Sequence, residues 1–321
     1  MRKILYFDCV SGISGDMALG ALVHLGADFG RLKAELGKLG LAGYEIVKRA
    51  ASMSGISGVD IDVVVFGGDG AGCAGGGAGC AGAGGGRSGD GDGGGRSSGH
   101  AHDHGGAGGH DHSGGHAHDH AGAHAHDHGA AGGHTHDHGG DHAHGAGAHA
   151  HNSFGEIREM IGASGISAMA KRMSVDIFTA IAEAEAAVHG VALEDVVFHE
   201  VGAVDSIVDI VGAAICVDML EPDRIMCSTV HDGHGSIECR HGIIPAPVPA
   251  VMEMLKGSSI KIVGEDVPTE MVTPTGLGIL KGLNAECALM PEMNISGVGY
   301  GFGKRDTGRF RGLRAIMGFG M

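Results

Sequence analysis

The chain contains 321 residues, including 64 Gly, 24 His and no Trp, and carries a formal net charge of −16. This composition excludes one ordinary globular domain along the whole length. The acidic balance argues against nucleic acid or an anionic membrane as a partner, since both bind clustered Lys and Arg, and it favours a cationic ligand.

The cysteines and the apolar residues predict a cytoplasmic protein. Seven cysteines without a CxxC pair indicate neither a disulfide framework nor a zinc ribbon. The acidic Asp8 lies only eight residues into the sequence, which is too early for the apolar core of a signal peptide. No apolar run reaches the length of a membrane-spanning helix. We therefore expect a reducing compartment and no membrane partner.

The N-terminal segment begins with a pattern of strand, glycine-rich loop and helix. Residues 3–7, Lys-Ile-Leu-Tyr-Phe, predict a short and mainly apolar strand, and helical periodicity follows over residues 17–25. A loop of this kind can present backbone N–H groups and the positive end of a helix dipole to a phosphate, or it can be a turn with a helix cap. No P-loop motif is present. The candidate phosphate-binding residues are Ser11, Gly12, Ser14, Gly15 and Asp16.

Residues 67–152 contain no Leu, Ile, Val or aromatic residue, which predicts a disordered insertion because no apolar surface can offset the entropy of ordering it. Residues 100–151 include 18 histidines and four irregularly spaced His-x-His-Asp-His units. Irregular spacing favours a flexible multidentate chelator over a solenoid, the alternative being an inert spacer. Imidazole is a suitable ligand for nickel, copper and zinc, so the histidine tract by itself does not indicate which metal it binds. The candidate ligands are His100, His102, His104, His116, His118, His120, His124, His126, His128, His134, His136 and His138.

Beyond the insertion, residues 168–188 have helical periodicity and end at a probable stop of His-Gly. Glu185 and His189 lie four residues apart and share a helix face. The two side chains could bind one metal ion or act as a base, or they could form a solvated surface contact. We place them among the candidate catalytic residues.

Residues 197–212 set four possible ligands within an otherwise apolar segment, where carboxylates need a cation or hydrogen-bond donors. A helix over about 203–220 would put Asp205 and Asp209 on one face. The alternative is that Asp205 is an N-terminal charge that interacts favourably with the helix dipole and that Asp209 is a surface residue. The candidate metal ligands of the folded segments are His199, Glu200, Asp205, Asp209 and His241, and Asp205 is also a candidate catalytic residue.

A second possible anion site lies at the start of a helix predicted over residues 277–283. Thr273 or Thr275 can cap this helix, and Gly276 completes the Thr-Pro-Thr-Gly motif. A Gly-rich stretch at 297–303, followed by basic residues, could also meet phosphate or could simply be a strand.

Five motifs in this order resemble the LarC family, which matures the nickel-pincer nucleotide cofactor of lactate racemase. They cover residues 8–17, 184–190, 198–212, 241–242 and 273–276. The resemblance implies a CTP-dependent cyclometallase, using Mg or Mn with the nucleotide, that inserts Ni(II) into pyridinium-3,5-bisthiocarboxylic acid mononucleotide. It also implies delivery of the product to apo-lactate racemase. The alternative is a nickel or zinc storage protein or metallochaperone without catalysis.

Two departures from the family accompany this resemblance. The family usually has Val-His-Phe-His-Glu where this chain has Val-Val-Phe-His-Glu at 196–200. Full-length members continue into a C-terminal CTP-binding domain, whereas this sequence ends at Met321. We expect either that a separate polypeptide supplies that domain or that this chain keeps only metal and substrate binding.

The resulting fold prediction is an α+β (mixed α/β) protein. Residues 1–66 form an N-terminal α/β segment, residues 67–152 the disordered His-rich insertion, and residues 153–321 an α/β segment that completes the core. We expect a homo-oligomer.

Overall fold

The computed structural model describes residues 1–66 and 153–321, and its architecture confirms the α+β prediction. In these ranges the α-helices are α1 (Gly15–Leu25), α2 (Phe29–Leu36), α3 (Phe154–Ala163), α4 (Ala168–His189), α5 (Val204–Leu220), α6 (Pro249–Leu255) and α7 (Pro274–Gly282). The strands are β1 (Arg2–Asp8), β2 (Tyr44–Met53), β3 (Ile56–Val65), β4 (Arg224–Cys227), β5 (Val230–Asp232), β6 (Gly235–Cys239), β7 (Gly242–Ala246), β8 (Ile262–Gly264), β9 (Glu286–Cys287), β10 (Met293–Phe302) and β11 (Gly312–Gly320).

A mixed sheet with the strand order β2-β3-β10-β11-β1-β4-β9 organises the described residues. Strand β1 lies between β11, to which it is antiparallel, and β4, to which it is parallel. The hairpin of β2 and β3 joins this sheet through β10. Strands from both sides of the insertion therefore share one sheet. Two further pairs, β5 with β8 and β6 with β7, lie outside it.

Strand β1 is buried on both faces, which explains its continuous apolar run. Leu5 and Phe7 belong to the main core, where α1 packs against the sheet. Ile4 and Tyr6 point to the other face and form a small second cluster with Met226. Because side chains alternate along a strand, Leu5 and Phe7 face the helical layer, and Ile4 and Tyr6 face away from it.

The helical layer is closely packed, and glycine permits one of its contacts. Helix α4 packs against α5, α6 and α7. A Cβ added at Gly282 of α7 would lie 2.3 Å from the Cα of Ile177 in α4, so only glycine allows this approach. The helix predicted over 168–188 is confirmed as α4, and it ends at Gly190 with a φ of 67°. No helix in residues 1–66 or 153–321 is both long and apolar enough to cross a membrane.

Two helix starts are held side by side by backbone hydrogen bonds. The N–H of Ile13 donates to the carbonyl of Met271 at 3.0 Å, and the N–H of Thr273 donates to the carbonyl of Ile13 at 3.0 Å. The buried Oδ1 of Asp232 accepts from the N–H groups of Met271 and Val272 at 2.6 and 3.1 Å. The starts of α1 and α7 therefore lie next to each other, at the edge where β1 ends.

Candidate metal centre and substrate cleft

A cleft of about 230 Å³ lies where several helices begin. Its wall includes Asp16 from the first turn of α1, Asp205 from the first turn of α5, Ala250 from α6 and Thr275 from α7. Free N–H groups and the helix dipole make a helix N-terminus electropositive. Several such ends around one cleft suit an anionic ligand.

Three histidines meet at this cleft. His189 is the last residue of α4, His199 lies in the loop before α5, and His241 lies in the turn between β6 and β7. One ring nitrogen from each lies within 4.8 Å of the others, and their ring centroids are 4.8 to 5.5 Å apart. We call these three residues the histidine cluster. Within residues 1–66 and 153–321, no other set of three or more His, Cys, Asp or Glu side chains forms such a group.

The geometry of the histidine cluster suits a divalent transition metal. Two nitrogens bound to one ion at about 2.1 Å each lie at most about 4.2 Å apart, so small rotations of the side chains would bring all three onto one ion. Burial lowers the pKa of His199, and the neighbouring His241 and His189 lower it further. A lowered pKa favours the neutral imidazole, which is the form that binds metal.

Groups beside the histidine cluster can orient or supplement it. Oε2 of Glu185 lies 3.3 Å from Nε2 of His189. Burial raises the pKa of Glu185, while the adjacent histidines oppose that shift. Sγ of Cys239 lies 3.9 Å from Nδ1 of His241, and Glu200 accepts a hydrogen bond of 3.4 Å from the N–H of Arg240. The metal centre therefore has a carboxylate and a thiol at its border.

Two buried carboxyl groups, Asp16 and Asp209, lie close together in the wall of the cleft. Asp16 is 8% exposed and accepts hydrogen bonds from the hydroxyl of Ser14 and the N–H of Met17. Oδ1 of Asp209 is inaccessible and has no hydrogen-bond partner among the described residues. Burial raises the pKa of Asp209 well above its usual range, and the nearby Asp16 and Asp205 add to the shift. Asp209 therefore ionises at a higher pH than a free aspartate.

Cations lie beside these acidic residues. Nζ of Lys304 donates to Oδ1 of Asp62 at 2.6 Å. Burial opposes the charge on Lys304, but Asp62, Asp16 and Asp209 together raise its pKa. Nη1 of Arg305 lies 2.7 Å from Oε1 of the buried Glu270, which also lines the cleft. Lys304 and Arg305 therefore balance part of the negative charge of the acidic residues in the cleft.

Most of the site residues predicted in the two folded segments line this cleft. They are Ser14, Gly15, Asp16, Glu185, His189, His199, Glu200, Asp205, Asp209, His241, Thr273 and Thr275. Ser11 faces a smaller adjoining cavity. Gly12 and Gly276 are packed against backbone, with an added Cβ only 2.0 Å from the carbonyl oxygen of Met271 and 2.3 Å from that of Ile13.

The structure divides the predicted metal ligands into two groups. His199 and His241 lie together, joined by His189, which the sequence suggested as a base. Asp205 and Asp209 line the cleft but are not part of the histidine cluster. The twelve predicted ligands of the histidine tract, His100 to His138, lie outside the described residues.

Sequence reasoning did not select Glu270, Lys304, Arg305 or Arg311 as site residues. Glu270 sits just before the Thr-Pro-Thr-Gly motif, and the three cations belong to the basic run after the Gly-rich strand. That run was a possible phosphate contact, but only the pairing of β10 with β11 brings it beside the start of α1.

Three histidines with the spacing of a metal site therefore lie beside a cleft suited to anions. The chain belongs to the nickel insertion protein family, which it matches over residues 5–320. It is similar to the pyridinium-3,5-bisthiocarboxylic acid mononucleotide nickel insertion proteins of Acetivibrio thermocellus and Lactiplantibacillus plantarum. The identities are 41% over 316 residues and 41% over 317 residues, in each case 98% of this chain.

The protein of the same name from Geobacillus kaustophilus is 36% identical to this chain over 304 residues, or 95% of this chain. The matches cover 60%, 61% and 56% of the three relatives, so the chain spans about three fifths of the length of the relatives that it matches. No solved structure shows significant similarity to it.

Proposed function

We propose that this chain inserts nickel into pyridinium-3,5-bisthiocarboxylic acid mononucleotide, forming the nickel-pincer nucleotide. The relatives carry that substrate in their names. The observation that supports the proposal best is the histidine cluster, which stands beside buried carboxyl groups and several helix starts within a single cleft. A cleft of this kind can hold a metal ion and an organic anion together.

The histidine cluster would hold Ni(II) as a substrate before its transfer. Imidazole is a suitable ligand for nickel, and three exposed histidines leave positions open for exchange. Glu185, 3.3 Å from His189, would hold that ring in place and strengthen it as a ligand. The soft sulfurs of the substrate would then draw the ion away.

The organic substrate would lie deeper in the cleft. Its thiocarboxylates are anionic, and the starts of α1 and α7 offer N–H donors to such groups. Thr273 and Thr275 share a hydrogen bond of 2.8 Å between their hydroxyls at the start of α7, which sets these hydroxyls toward the cleft. Asp205 faces the same space and would compensate the pyridinium charge.

A base is needed because the new nickel–carbon bond replaces a ring C–H bond. Glu185 and Asp205 are the candidate bases, since both line the cleft. Burial raises the pKa of Glu185, which brings a carboxylate closer to the range useful for proton transfer near neutral pH. The proton released from the ring carbon would pass to this carboxylate and then to solvent.

Further components of the reaction follow from the family resemblance. We propose that CTP, with Mg or Mn, activates the reaction and that apo-lactate racemase accepts the product. The five described cysteines are unpaired, which supports a cytoplasmic location. The homo-oligomer expected from the sequence remains a prediction.

The test is activation of apo-lactate racemase by the unaltered chain supplied with the thiocarboxylated precursor, nickel, CTP and the C-terminal polypeptide. Replacing His199 or His241 by Ala should lower the insertion rate by about a hundredfold, a typical loss when a metal site is damaged. The matched control is His234→Ala, because His234 is exposed and pairs with Asp266 outside the cleft. Failure of the unaltered chain with every component present would favour a metal-storage protein instead.

A further inference from the structure

A small cavity adjoins the cleft, and none of the three clustered histidines lines it. It shares Ser14, Asp16, Glu270 and Thr273 with the cleft, so the two spaces meet along one wall. Its volume is about 40 Å³, which is the scale of a single small anion. We call it the anion pocket, and its remaining polar lining residues are Ser11, Lys304, Arg305, Thr307 and Arg311.

Three cations line the anion pocket, and each is anchored by only part of its hydrogen-bonding capacity. Lys304 donates to Asp62, Arg305 contacts Glu270 through Nη1, and Nε of Arg311 donates to the carbonyl of Gly303 at 2.9 Å. Nη1 of Arg311 also contacts the exposed Asp306 at 3.3 Å. Among the described residues, Nη2 of either arginine has no partner. The guanidinium groups are thus held in place with donors left over for a ligand.

The neutral donors of the pocket fit the same kind of ligand. Oγ of Ser11 makes no hydrogen bond to the described residues, and Oγ1 of Thr307 donates only a long bond of 3.4 Å to the carbonyl of Arg309. Ser14 stands at the start of α1, whose dipole favours negative charge. Two lining side chains are acidic, Asp16 and Glu270, and three are cationic. Two further carboxylates, Asp62 and Asp306, pair with Lys304 and Arg311 but do not line the pocket.

We propose that the anion pocket binds the phosphate monoester of the mononucleotide substrate, while the pyridinium ring extends into the cleft toward the histidine cluster. A doubly charged phosphate presents oxygens that match two arginine forks and a lysine. Binding at this end would fix the ring's position without engaging the groups that exchange nickel. The proposal rests on the proposed function only for the identity of the nucleotide, because the pocket can be tested with phosphate alone.

The first experiment measures binding of inorganic phosphate, nicotinate mononucleotide and nicotinate riboside to the full chain by calorimetry and ³¹P line broadening. We expect phosphate to bind and the mononucleotide to bind at least about tenfold more tightly than the riboside, as one charge-assisted hydrogen bond provides. Arg311→Met should abolish this difference and leave nickel binding unchanged, and Arg311→Lys should restore part of it. The control is Arg309→Met, since Arg309 pairs with Glu265 away from the pocket.

The outcomes separate the pocket from the insertion activity. Equal binding of mononucleotide and riboside, absence of phosphate binding, or equal effects of Arg311→Met and Arg309→Met would overturn the pocket. Stronger competition by CTP than by the mononucleotide would assign the pocket to a triphosphate and also overturn it. In the insertion assay, Arg311→Met should raise KM for the mononucleotide about tenfold with little change in kcat. Phosphate binding that depends on Arg311, in a chain that never inserts nickel, would refute only the proposed function.

Discussion

The side chain of Asp209 rests directly on the backbone of Gly15. A Cβ added at position 15 would lie 2.9 Å from both Cβ and Oδ2 of Asp209. This contact joins the first turn of α1 to the second turn of α5, and both residues line the cleft. Glycine at this position is therefore a requirement of packing, since its backbone is not in the left-handed region.

Replacing Gly15 by Ala should push Asp209 out of place. We expect a loss of about 1–3 kcal/mol in the free energy of unfolding, the usual cost of overpacking, together with loss of nickel insertion. Gly162→Ala is the matched control, because this exposed helical glycine has open space around it and should gain about 0.5–1 kcal/mol. Urea denaturation measures both, and equal stability of the two variants would contradict the packing argument.

Asp209 should also make the stability of the protein depend on pH. Its pKa in the folded protein is raised by burial first and then by Asp16 and Asp205, so the folded state keeps a proton that the unfolded state releases. The resulting stability is present below about pH 3.9 and is lost as the pH rises toward the folded pKa. Asp209→Asn removes this loss, and the variant should exceed the unaltered protein in stability most clearly at neutral pH.

Chemical denaturation between pH 5 and 8 measures this difference. The control is Asp176→Asn on the exposed side of α4, for which the two curves should run parallel. A stability gap between Asp209→Asn and the unaltered protein that stays constant with pH, or that reverses sign, would show that Asp209 is ionised in the folded state.

The histidine cluster should retain nickel at lower pH than the histidine tract. Burial and the neighbouring His241 and His189 lower the pKa of His199, so this ring gains a proton at a lower pH than a free imidazole does. Free imidazoles of the tract titrate near about 6.5 and release metal below that value. The difference in bound nickel between the unaltered chain and His199→Ala, followed by equilibrium dialysis, should therefore fall at a lower pH than the bulk of the binding. Coincident midpoints would argue against a distinct site.

Deleting residues 70–151 should leave a folded core that binds fewer nickel ions. Strand β3 ends at Val65 and α3 begins at Phe154, so the deletion removes no strand or helix of the described core. Circular dichroism checks the fold, and dialysis checks the metal stoichiometry, which should fall because 18 histidines lie between 100 and 151. A deletion variant that is unfolded, or that binds as much nickel as the full chain, would refute the expectation. His234→Ala, which removes one histidine outside the tract and the cluster, serves as the control for stoichiometry.

Local sequence patterns determined much of this protein. Apolar periodicity predicted α4 and its end at Gly190, because side chains at helical spacing must share a buried face. The composition of residues 67–152 separated them from the segments that can form a core. The motif around His199 and Asp205 also indicated a site, since polar groups are rare in so apolar a stretch unless they have a function or a partner.

Only the tertiary structure decided how those groups combine. His189 and His241 are 52 residues apart, and their meeting depends on the packing of α4 beside the β6–β7 turn, which no local pattern encodes. Likewise, the pairing of β10 with β11 carries Arg311 to the start of α1, about 300 residues away. Residue spacing can predict which side chains share a helix face. Which faces meet depends on long-range packing, and that packing brings the three histidines together and places the cations beside the start of α1.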